Sequence, residues 1–465
     1  MKFNGLMIDC SRLMEPHRYY FKLLDFMGEW GMNVLLLHFS DDHGFGIRMP
    51  GFEKIAMPNA FSAAEIKKLV AHAAKKGVDI IPELETFGHT RFLTDRKEYS
   101  HLYAGRKTKY ITFNAIDPLN HETHSLMKRL ITATAKLFPS KYIHLGCDEV
   151  DLEEYCKERN LCSDKVWADY VNKVIGYAKD CGKIPMIWGD HPTKSESIAK
   201  LLRKDLIVYD WRYSRTVDEE PVIKLKKYGF KKIISAPSIA CWGYRSHMTE
   251  IGISNVEKMA SLASKYRLEG LITTIWCPYR YFQNALYYGI AFSAEAGRVG
   301  GMPDMKKFKE KFARKVFGTG LTDELDLFLE LHPSVIVDNQ VAVAILGYKI
   351  PPEKFKEIEA MSKTAFVCIE VGKKYRPAKN AEIFNAMLLA VKASWCCMEY
   401  NLLYGKKGFA ERKRRFNEML KAVRADASAE WDRTRFKDSP WKYKAQFKNS
   451  EECYILILLK KMKYL

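Results

Sequence analysis

The sequence lacks several patterns that would have decided its class at once. No two cysteines have the CxxC spacing of a zinc ribbon, and no GxGxxG follows any of its apolar runs. Unbroken apolar runs such as VLLL at Val34 and YILILL at Tyr454 are far shorter than the roughly 18 residues of a membrane span. The sequence therefore argues against a structural zinc site, a dinucleotide-binding fold and a membrane partner.

The chain also lacks the marks of a secreted, disulfide-stabilised protein. Its 11 cysteines are an odd number and are scattered from Cys10 to Cys453, which predicts reduced thiols. The first ten residues, MKFNGLMIDC, have neither the apolar core nor the cleavage site of a signal peptide. We expect a cytoplasmic location if this N-terminus is native, and a periplasmic or secreted one if a signal peptide has been removed.

The formal charge of +19 is concentrated in the last third of the 465-residue chain. It is densest at ERKRR (411–415), where the basic residues are not interleaved with the glycine and aromatic residues of an RNA-binding module. A solvated basic face is the favoured interpretation, and no nucleic-acid partner is expected.

The first 300 residues repeat one unit: a short apolar run, a polar stretch, an amphipathic helical stretch and often a glycine before the next run. Runs that are apolar on consecutive residues suit parallel strands buried on both faces. Eight such units predict an α/β fold, the (β/α)8 TIM barrel, with an open doubly wound sheet as the alternative. The runs are GLMIDC (5–10), NVLLLHF (33–39), VDIIPE (78–83), YIHLGC (142–147), IPMIW (184–188), LIVYDW (206–211), KIISA (232–236) and LITTIW (271–276).

A glycine-rich break at GRVGGMPD (297–304) ends this repeat. The stretches that follow have helical periodicity without accompanying strands. We therefore predict two domains, a (β/α)8 catalytic barrel over residues 1–300 and an all-helical C-terminal domain over residues 301–465.

The active site of such a barrel is built at the carboxyl ends of the strands and in the loops after them. The residues at these ends are acidic and aromatic, which suits a neutral sugar: carboxylates accept hydrogen bonds from hydroxyls, and indole faces stack on the ring. Paired carboxylates also supply the acid and base for glycosidic bond cleavage. The rim residues are Asp9, Ser11, His38, Asp41, Asp42, Glu83, Glu85, His89, His144, Asp148, Glu149, Trp188, Asp190, Asp210, Trp211, Ser235, Trp276 and Tyr279.

A metal site is the alternative that these histidines raise. Zinc and iron sites usually show close spacing such as HxH or HExxH, whereas His38, His89 and His144 are spread singly over three strands. The spacing therefore disfavours a catalytic metal. A thiolate nucleophile at Cys147 is disfavoured, because the two carboxylates that follow it would raise its pKa.

Four ordered motifs give the sequence a family resemblance. YIHLGCDEV (142–150) resembles the HxGGDE signature of glycoside hydrolase family 20, the β-N-acetylhexosaminidases, with Cys147 in place of the second glycine. GLMIDCSR (5–12), NVLLLHFSDDHGF (33–45) and IPELETFGHT (81–90) resemble the family's motifs on the first three strands. The resemblance is to the shorter members, which start at the first strand without a preceding β-rich domain and carry a helical C-terminal domain.

The resemblance implies an exo-acting, retaining hydrolase that removes terminal β-linked GlcNAc or GalNAc, with the substrate's own 2-acetamido carbonyl as the nucleophile. Asp148 would accept the acetamide N–H, and Glu149 would act as the general acid and then the general base. Glu149 is expected to have a raised pKa from partial burial and its anionic neighbour. His89 and Asp41 would relay protons to this acid, and the resemblance implies no metal and no organic cofactor.

Recognition of the sugar is expected to differ from that of the family. Asn4 stands where family members have an arginine that binds O3 and O4, Pro278 replaces a sugar-binding glutamate, and Glu85 replaces an aspartate. The acetamide-binding tyrosine has no clear counterpart, with Tyr244, Tyr279 and Tyr281 as candidates. A GalNAc or modified hexosamine substrate is one consequence. The residues assigned to substrate binding are Asp9, Asn4, His38, Glu83, Trp188, Trp211, Trp276 and Tyr279.

Two rival hypotheses remain at this stage. The first is a carbohydrate-binding relative of the same fold that has lost hydrolysis, although retention of both Asp148 and Glu149 argues against it. The second is a metal-dependent barrel hydrolase. The expected partner is a glycan or glycoconjugate with a terminal N-acetylhexosamine, and a homodimer is kept as a further hypothesis.

Overall fold

Eight parallel strands form a closed barrel, as the sequence repeat predicts. In this computed structural model, which describes residues 1–104, 115–241, 248–337, 341, 345, 350–436 and 455–465, each barrel strand pairs with the next, and the first also pairs with the last. The strands are β1 (Phe3–Asp9), β2 (Val34–His38), β3 (Asp79–Glu83), β4 (Tyr142–His144), β5 (Ile184–Trp188), β6 (Ile207–Trp211), β7 (Ile233–Ala236) and β8 (Gly270–Ile275). The predicted TIM-barrel fold is confirmed.

The strand register places polar residues side by side at the carboxyl ends of β1 to β4. Asp9 is opposite His38, His38 is opposite Glu83, and Glu83 is opposite His144. The rest of these strands is almost entirely buried and apolar, as expected for strands covered by helices on one side and packed in a barrel interior on the other. Four polar side chains therefore meet above an apolar core.

The chain divides into two compact units, Met1–Pro237 with Lys258–Thr274, and Ser238–Glu257 with Ile275–Leu465. The predicted boundary at residue 300 stays a prediction, because compactness alone does not define an independently folding domain. The helices of the first unit are Arg18–Glu29, Ala63–Lys75, Arg91–Thr94, His121–Leu137, Glu153–Lys157, Ser163–Asp180, Asp190–Lys194, Glu196–Leu201 and Glu220–Lys227, with 3-10 turns at Glu53–Ile55 and Ser100–Leu102.

Local sequence signals explain where several of these helices begin. Ser62 and Glu65 form a capping box, in which each side chain bonds the backbone N–H of the other residue. Asn120 and Ser195 cap the helices His121–Leu137 and Glu196–Leu201 in the same sense, by accepting a backbone N–H. Short strands accompany the barrel at Ser40–Asp41, Gly44–Phe45, Ile47–Arg48 and Phe61–Ser62.

The second unit is mainly helical, as predicted for the C-terminal region. Its most apolar helix, Ala381–Leu403, has a mean hydropathy of 1.2 over 18 residues and could cross a membrane by length and composition alone. Since 78% of that window is buried inside the protein, it also fits the core helix of a helical domain. The other elements are the strand Ser238–Ala240 and the helices Tyr287–Val299, Met305–Phe312, Asp323–Leu331, Lys354–Gly372, Ala410–Thr434 and Ile455–Lys461, with helical turns at Pro278–Arg280, Gln283–Leu286, Ala313–Phe317 and His332–Ser334; Glu250–Lys265 is divided between the units.

Candidate functional site

Arg12 joins the ends of the first two strands. Its guanidinium lies 2.9 Å from Asp9 Oδ2 and 2.8 Å from Asp41 Oδ2, and the side chain is largely buried. Burial alone would raise the pKa of Asp9, but the charges of Arg12 and His38 outweigh it and lower this pKa. Arg12 belongs to the GLMIDCSR motif, yet sequence reasoning gave it no role, because a sequence does not show which carboxylates an arginine reaches.

His38, Glu83 and Trp188 form a buried hydrogen-bonded floor. His38 Nδ1 lies 3.1 Å from Glu83 Oε1, which also accepts the indole N–H of Trp188 at 2.7 Å. Despite burial, which favours the neutral ring, Glu83 and Asp41 raise the pKa of His38 to about 10. The rings of Trp188, His144 and Tyr209 pack together, with His144 centred 4.6 Å from Trp188. Trp188 is only 1% exposed and belongs to this floor, so its predicted role as a wall of the sugar pocket stays a prediction.

Asp41 is the hub of the site. Besides Arg12, it contacts His38 Nε2 at 3.2 Å, His43 Nδ1 at 3.1 Å and His89 Nδ1 at 3.6 Å. These cations and hydrogen bonds outweigh the effect of burial and hold the pKa of Asp41 well below its usual range. Asp41 is thus a permanent anion behind the histidines.

His89 lies between two pairs of carboxylates. Its Nδ1 is 3.6 Å from Asp41 and 3.5 Å from Asp42, while its Nε2 is 3.8 Å from Asp148 Oδ2 and 3.3 Å from Glu149 Oε2. Burial disfavours the imidazolium, but these anions outweigh it and raise the pKa of His89 well above its usual value. The structure therefore brings the four predicted catalytic residues together, with the histidine at their centre.

The loop after β4 holds Asp148 and Glu149 in an unusual backbone. Gly146, Cys147 and Glu149 have φ values of 66°, 72° and 50°, in the left-handed region that disfavours side chains with a Cβ. Cys147, which stands where the family motif has glycine, thus occupies a conformation suited to glycine. Its thiol is buried, which raises its pKa well above the usual value, so it is no thiolate nucleophile.

The surroundings of Asp148 and Glu149, the predicted catalytic pair, reverse one prediction about their pKa values. Burial would raise the pKa of Glu149, whose side chain is 29% exposed, but His89 outweighs it and lowers that pKa. Burial raises the pKa of Asp148 to about 7, and the anions Asp190 and Glu149 contribute in the same direction. The predicted raised pKa of Glu149 is therefore wrong for the free site, because the prediction did not account for an imidazolium beside it.

Glu85 is the least expected group of the site. It is fully buried, and within the described residues neither of its carboxyl oxygens has a hydrogen-bond partner. Burial, reinforced by Asp148, raises its pKa well above the usual value, so it is a neutral acid. A Cβ on Gly146 would lie 1.9 Å from Glu85 Oε2, and glycine is needed there to admit the carboxyl.

In the part of the chain that the structure describes, three groups of side chains bring possible metal ligands within 4.8 Å of one another: His38 with Glu83 and Glu85, Asp41 with Asp42 and His89, and His89 with Asp148 and Glu149. Each group depends on a histidine that lies between carboxylates and has a raised pKa. A metal would have to displace that proton, because only a neutral imidazole binds metal.

Other predicted substrate-binding residues are spread more widely. Asn4 is not at the site: it lies near the start of β1, five residues before Asp9 and so about 16 Å away along the strand, where its backbone N–H bonds Asn33. Trp211, at the end of β6, is half-buried with its ring 5.3 Å from that of Tyr213. Trp276 and Tyr279 are buried in the second compact unit, and Tyr244 lies outside the described residues.

Sequence reasoning gave no role to His191, which follows Asp190 in the loop after β5. Its Nε2 accepts the backbone N–H of Val150, the residue after the predicted catalytic pair. No sequence signal marks this contact, since the two residues are 41 positions apart.

The chain resembles known proteins over its barrel. Residues 1–269 match the family model "Glycosyl hydrolase family 20, catalytic domain". The β-subunit of human β-hexosaminidase is 25% identical over 252 residues, an alignment that covers 50% of this chain and 44% of the human one. Vibrio furnissii β-hexosaminidase is 24% identical over 275 residues, an alignment that covers 50% of this chain and 43% of that protein. The chain thus spans less than half the length of these relatives.

Solved structures share the fold at lower identity. A Vibrio harveyi GH20 exo-β-N-acetylglucosaminidase, in complex with N-acetylglucosamine, aligns with a TM-score of 0.50 and 18% identity over 65% of this chain and 55% of its own. Flavobacterium johnsoniae chitobiase aligns with a TM-score of 0.53 and 18% identity over 98% of this chain and 78% of its own. Since the family model covers more than half of the residues, including the loop that carries Asp148 and Glu149, this chain belongs to glycosyl hydrolase family 20.

Proposed function

We propose that this chain is an exo-acting, retaining β-N-acetylhexosaminidase that uses the 2-acetamido group of its substrate as the nucleophile. The observation that carries the proposal is the position of His89 Nε2, 3.3 Å from Glu149 and 3.8 Å from Asp148. A general acid and a second carboxylate are thereby held side by side with a proton within reach of both. The names of the relatives, β-hexosaminidases and β-N-acetylglucosaminidases, support the same substrate class.

Asp148 orients the nucleophile. Its Oδ1 is buried and has no hydrogen-bond partner among the described residues, so it is available to accept the acetamide N–H of a bound sugar. This contact directs the acetamide oxygen toward C1. As that oxygen attacks and the C1–O bond breaks, positive charge develops on the oxazolinium ring, and the carboxylate stabilises it.

Glu149 and His89 handle the proton as a pair. In the free site the proton resides on His89. It reaches the glycosidic oxygen through Glu149, whose Oε2 lies 3.3 Å from His89 Nε2. The leaving alcohol takes this proton in the first step. In the second step water attacks C1, the oxazoline opens, and Glu149 accepts the proton of the water. Asp41 and Asp42 orient His89 and favour its protonated form in the free site, to which the proton taken from water returns.

The test is release of the aryl alcohol from 4-nitrophenyl β-GlcNAc, β-GalNAc and β-glucoside by the purified chain. We expect hydrolysis of one or both acetamido sugars and none of the glucoside, which lacks the nucleophile. Glu149→Gln and Asp148→Asn should each lower kcat by roughly 10²-fold or more. Glu154→Gln, an exposed residue five positions away, is the matched control.

Two further measurements separate the rival functions. Proton NMR of the first product should show the β-anomer, as retention requires, and a thiazoline analogue of GlcNAc should inhibit competitively. Dialysis against a chelator should leave the rate unchanged. The proposal would be contradicted if the wild-type chain released the aryl alcohol from both acetamido sugars no faster than the Asp148→Asn/Glu149→Gln double variant. That result would favour a carbohydrate-binding protein.

A further inference from the structure

Two consecutive side chains beyond β5 hold the backbone of the loop that carries the proposed catalytic pair. The backbone N–H of Glu149 donates to Asp190 Oδ2 at 3.1 Å, and the N–H of the next residue, Val150, donates to His191 Nε2 at 3.1 Å. Asp190 and His191 are the first two residues of the helix Asp190–Lys194. Two adjacent amides of one strand-end loop thus have acceptors from the neighbouring strand's loop.

The loop needs such acceptors because its backbone is unfavourable by itself. Three of its four residues from Gly146 to Glu149 have positive φ, and two of the three carry side chains, for which the left-handed region costs about 1–2 kcal/mol each. With no helix or sheet ladder across Glu149 and Val150, their N–H groups depend on side chains for partners.

The two acceptors are themselves fixed in place. Asp190 is buried, and the start of its helix is tied down by Thr193 Oγ1, which donates to the carbonyls of Gly189 and Asp190 at 2.7 and 2.9 Å. Gly189 lies so close to β6 that a Cβ on it would be 2.7 Å from the Tyr209 carbonyl oxygen.

The His191 ring is held by packing. It lies against the buried indole of Trp167, with ring centroids 4.7 Å apart and planes inclined by 31°. Since Nε2 accepts the Val150 N–H, it carries no proton, and the ring proton of the neutral form is on Nδ1.

We infer that Asp190 and His191 are positioning residues, which aim the side chains of Asp148 and Glu149 by holding the backbone amides of Glu149 and Val150. The inference rests on the proposed function for its catalytic consequence. The hydrogen-bond clamp itself does not, and it can be tested without substrate.

The test compares variants that remove each acceptor with variants that keep it. Asp190→Ala and His191→Phe lose the acceptors, whereas Asp190→Asn and His191→Gln retain an amide oxygen at nearly the same place. Misplacement of catalytic groups by about 1 Å costs roughly 10²-fold. We therefore expect kcat on aryl acetamido glycosides to fall roughly 10- to 100-fold in the first pair, with KM within about threefold of wild type, and to recover largely in the second pair.

A second readout follows the clamp directly. Hydrogen–deuterium exchange of a peptide spanning residues 145–152 should accelerate in Asp190→Ala and His191→Phe and remain near the wild-type rate in Asp190→Asn and His191→Gln. Exchange in β1 and β2 should be unchanged in all four, which shows that the barrel is intact. Glu196→Gln is the control, because this exposed side chain lies on the following helix and pairs with Lys200 four residues further along that helix.

The outcomes are distinct. Unchanged exchange and unchanged kcat in the Ala and Phe variants would overturn the inference. Equal losses in Asp190→Asn and Asp190→Ala would also overturn it, since the charge rather than the acceptor would then matter. If the wild-type chain hydrolyses no acetamido sugar, the proposed function fails, while the exchange data still decide whether the clamp exists.

Discussion

Replacement of His89 by asparagine should change the pH range in which the chain works. Asparagine tolerates the left-handed backbone of this position, where φ is 50°, so the variant removes the charge with little strain. In the proposed mechanism His89 holds the proton that Glu149 delivers. The alkaline limb of kcat/KM therefore reports the loss of this shared proton, and it belongs to the pair rather than to Glu149 alone.

The size of the effect follows from the contact. Two unit charges 3.3 Å apart interact by about 5 kcal/mol at an effective dielectric constant of 20. Because the side chain of Glu149 is 29% exposed, solvent screens part of this interaction. We expect about 1.5–3 kcal/mol of it to remain, which corresponds to a shift of about one to two units in the pKa of Glu149. In the variant the pKa of Glu149 rises by this amount but remains in the carboxyl range, whereas the wild-type pair loses its proton well above pH 6.5.

Two limbs of the profile should therefore move toward each other. The alkaline limb should move to lower pH, because Glu149 then holds the proton alone, and the acid limb should move to higher pH, because the pKa of Asp148, already about 7, loses the opposing charge of His89. We expect kcat/KM at pH 7.5 to fall roughly 100-fold or more.

The assay is the pH dependence of kcat/KM on an aryl acetamido glycoside, with His72→Asn as the control. His72 pairs with Asp25 on the outside of the barrel, 2.9 Å apart, and its loss should leave both limbs in place. An alkaline limb in His89→Asn within about 0.3 units of wild type would refute the assignment of the shared proton.

Three further results are expected. Gly146→Ala should lower the free energy of unfolding by roughly 2–4 kcal/mol in urea titrations, because about 1 kcal/mol of backbone strain adds to overpacking against Glu85. Glu85→Ala in the same chain should recover part of the loss, and equal losses in both backgrounds would contradict the clash. Glu85→Gln should flatten the pH dependence of stability, because the folded-state pKa of Glu85 is raised. Protonation of Glu85 stabilises the wild-type fold below about pH 4.5, and this contribution declines as the pH rises through the folded-state pKa. Thermal melts of the variant should not show that decline. Arg12→Met should destabilise the chain by roughly 3–5 kcal/mol, because it removes the guanidinium that bridges the buried Asp9 and Asp41. A loss below about 1 kcal/mol would show that the neighbouring histidines compensate for it.

The sequence by itself determined the fold and the candidates for the site. Eight apolar runs separated by helical stretches predict eight buried strands, and the polar and aromatic residues at or just after the ends of these runs are the ones that a barrel presents at its rim. Helix starts such as the capping box of Ser62 and Glu65 were equally readable, because the interacting groups are three residues apart. Local periodicity was sufficient for these features since it depends only on near neighbours in the chain.

Tertiary structure decided how the candidates act. Asn4 and Asp9 belong to one strand, yet only Asp9 reaches the site, because the two residues lie near opposite ends of it. The pKa of Glu149 is lowered rather than raised because His89, 60 positions earlier, lies 3.3 Å away. The acceptors for its loop come from Asp190 and His191 on the next strand's loop. Charge and hydrogen bonding depend on distances of a few ångströms between residues far apart in sequence, and only the closed barrel sets those distances.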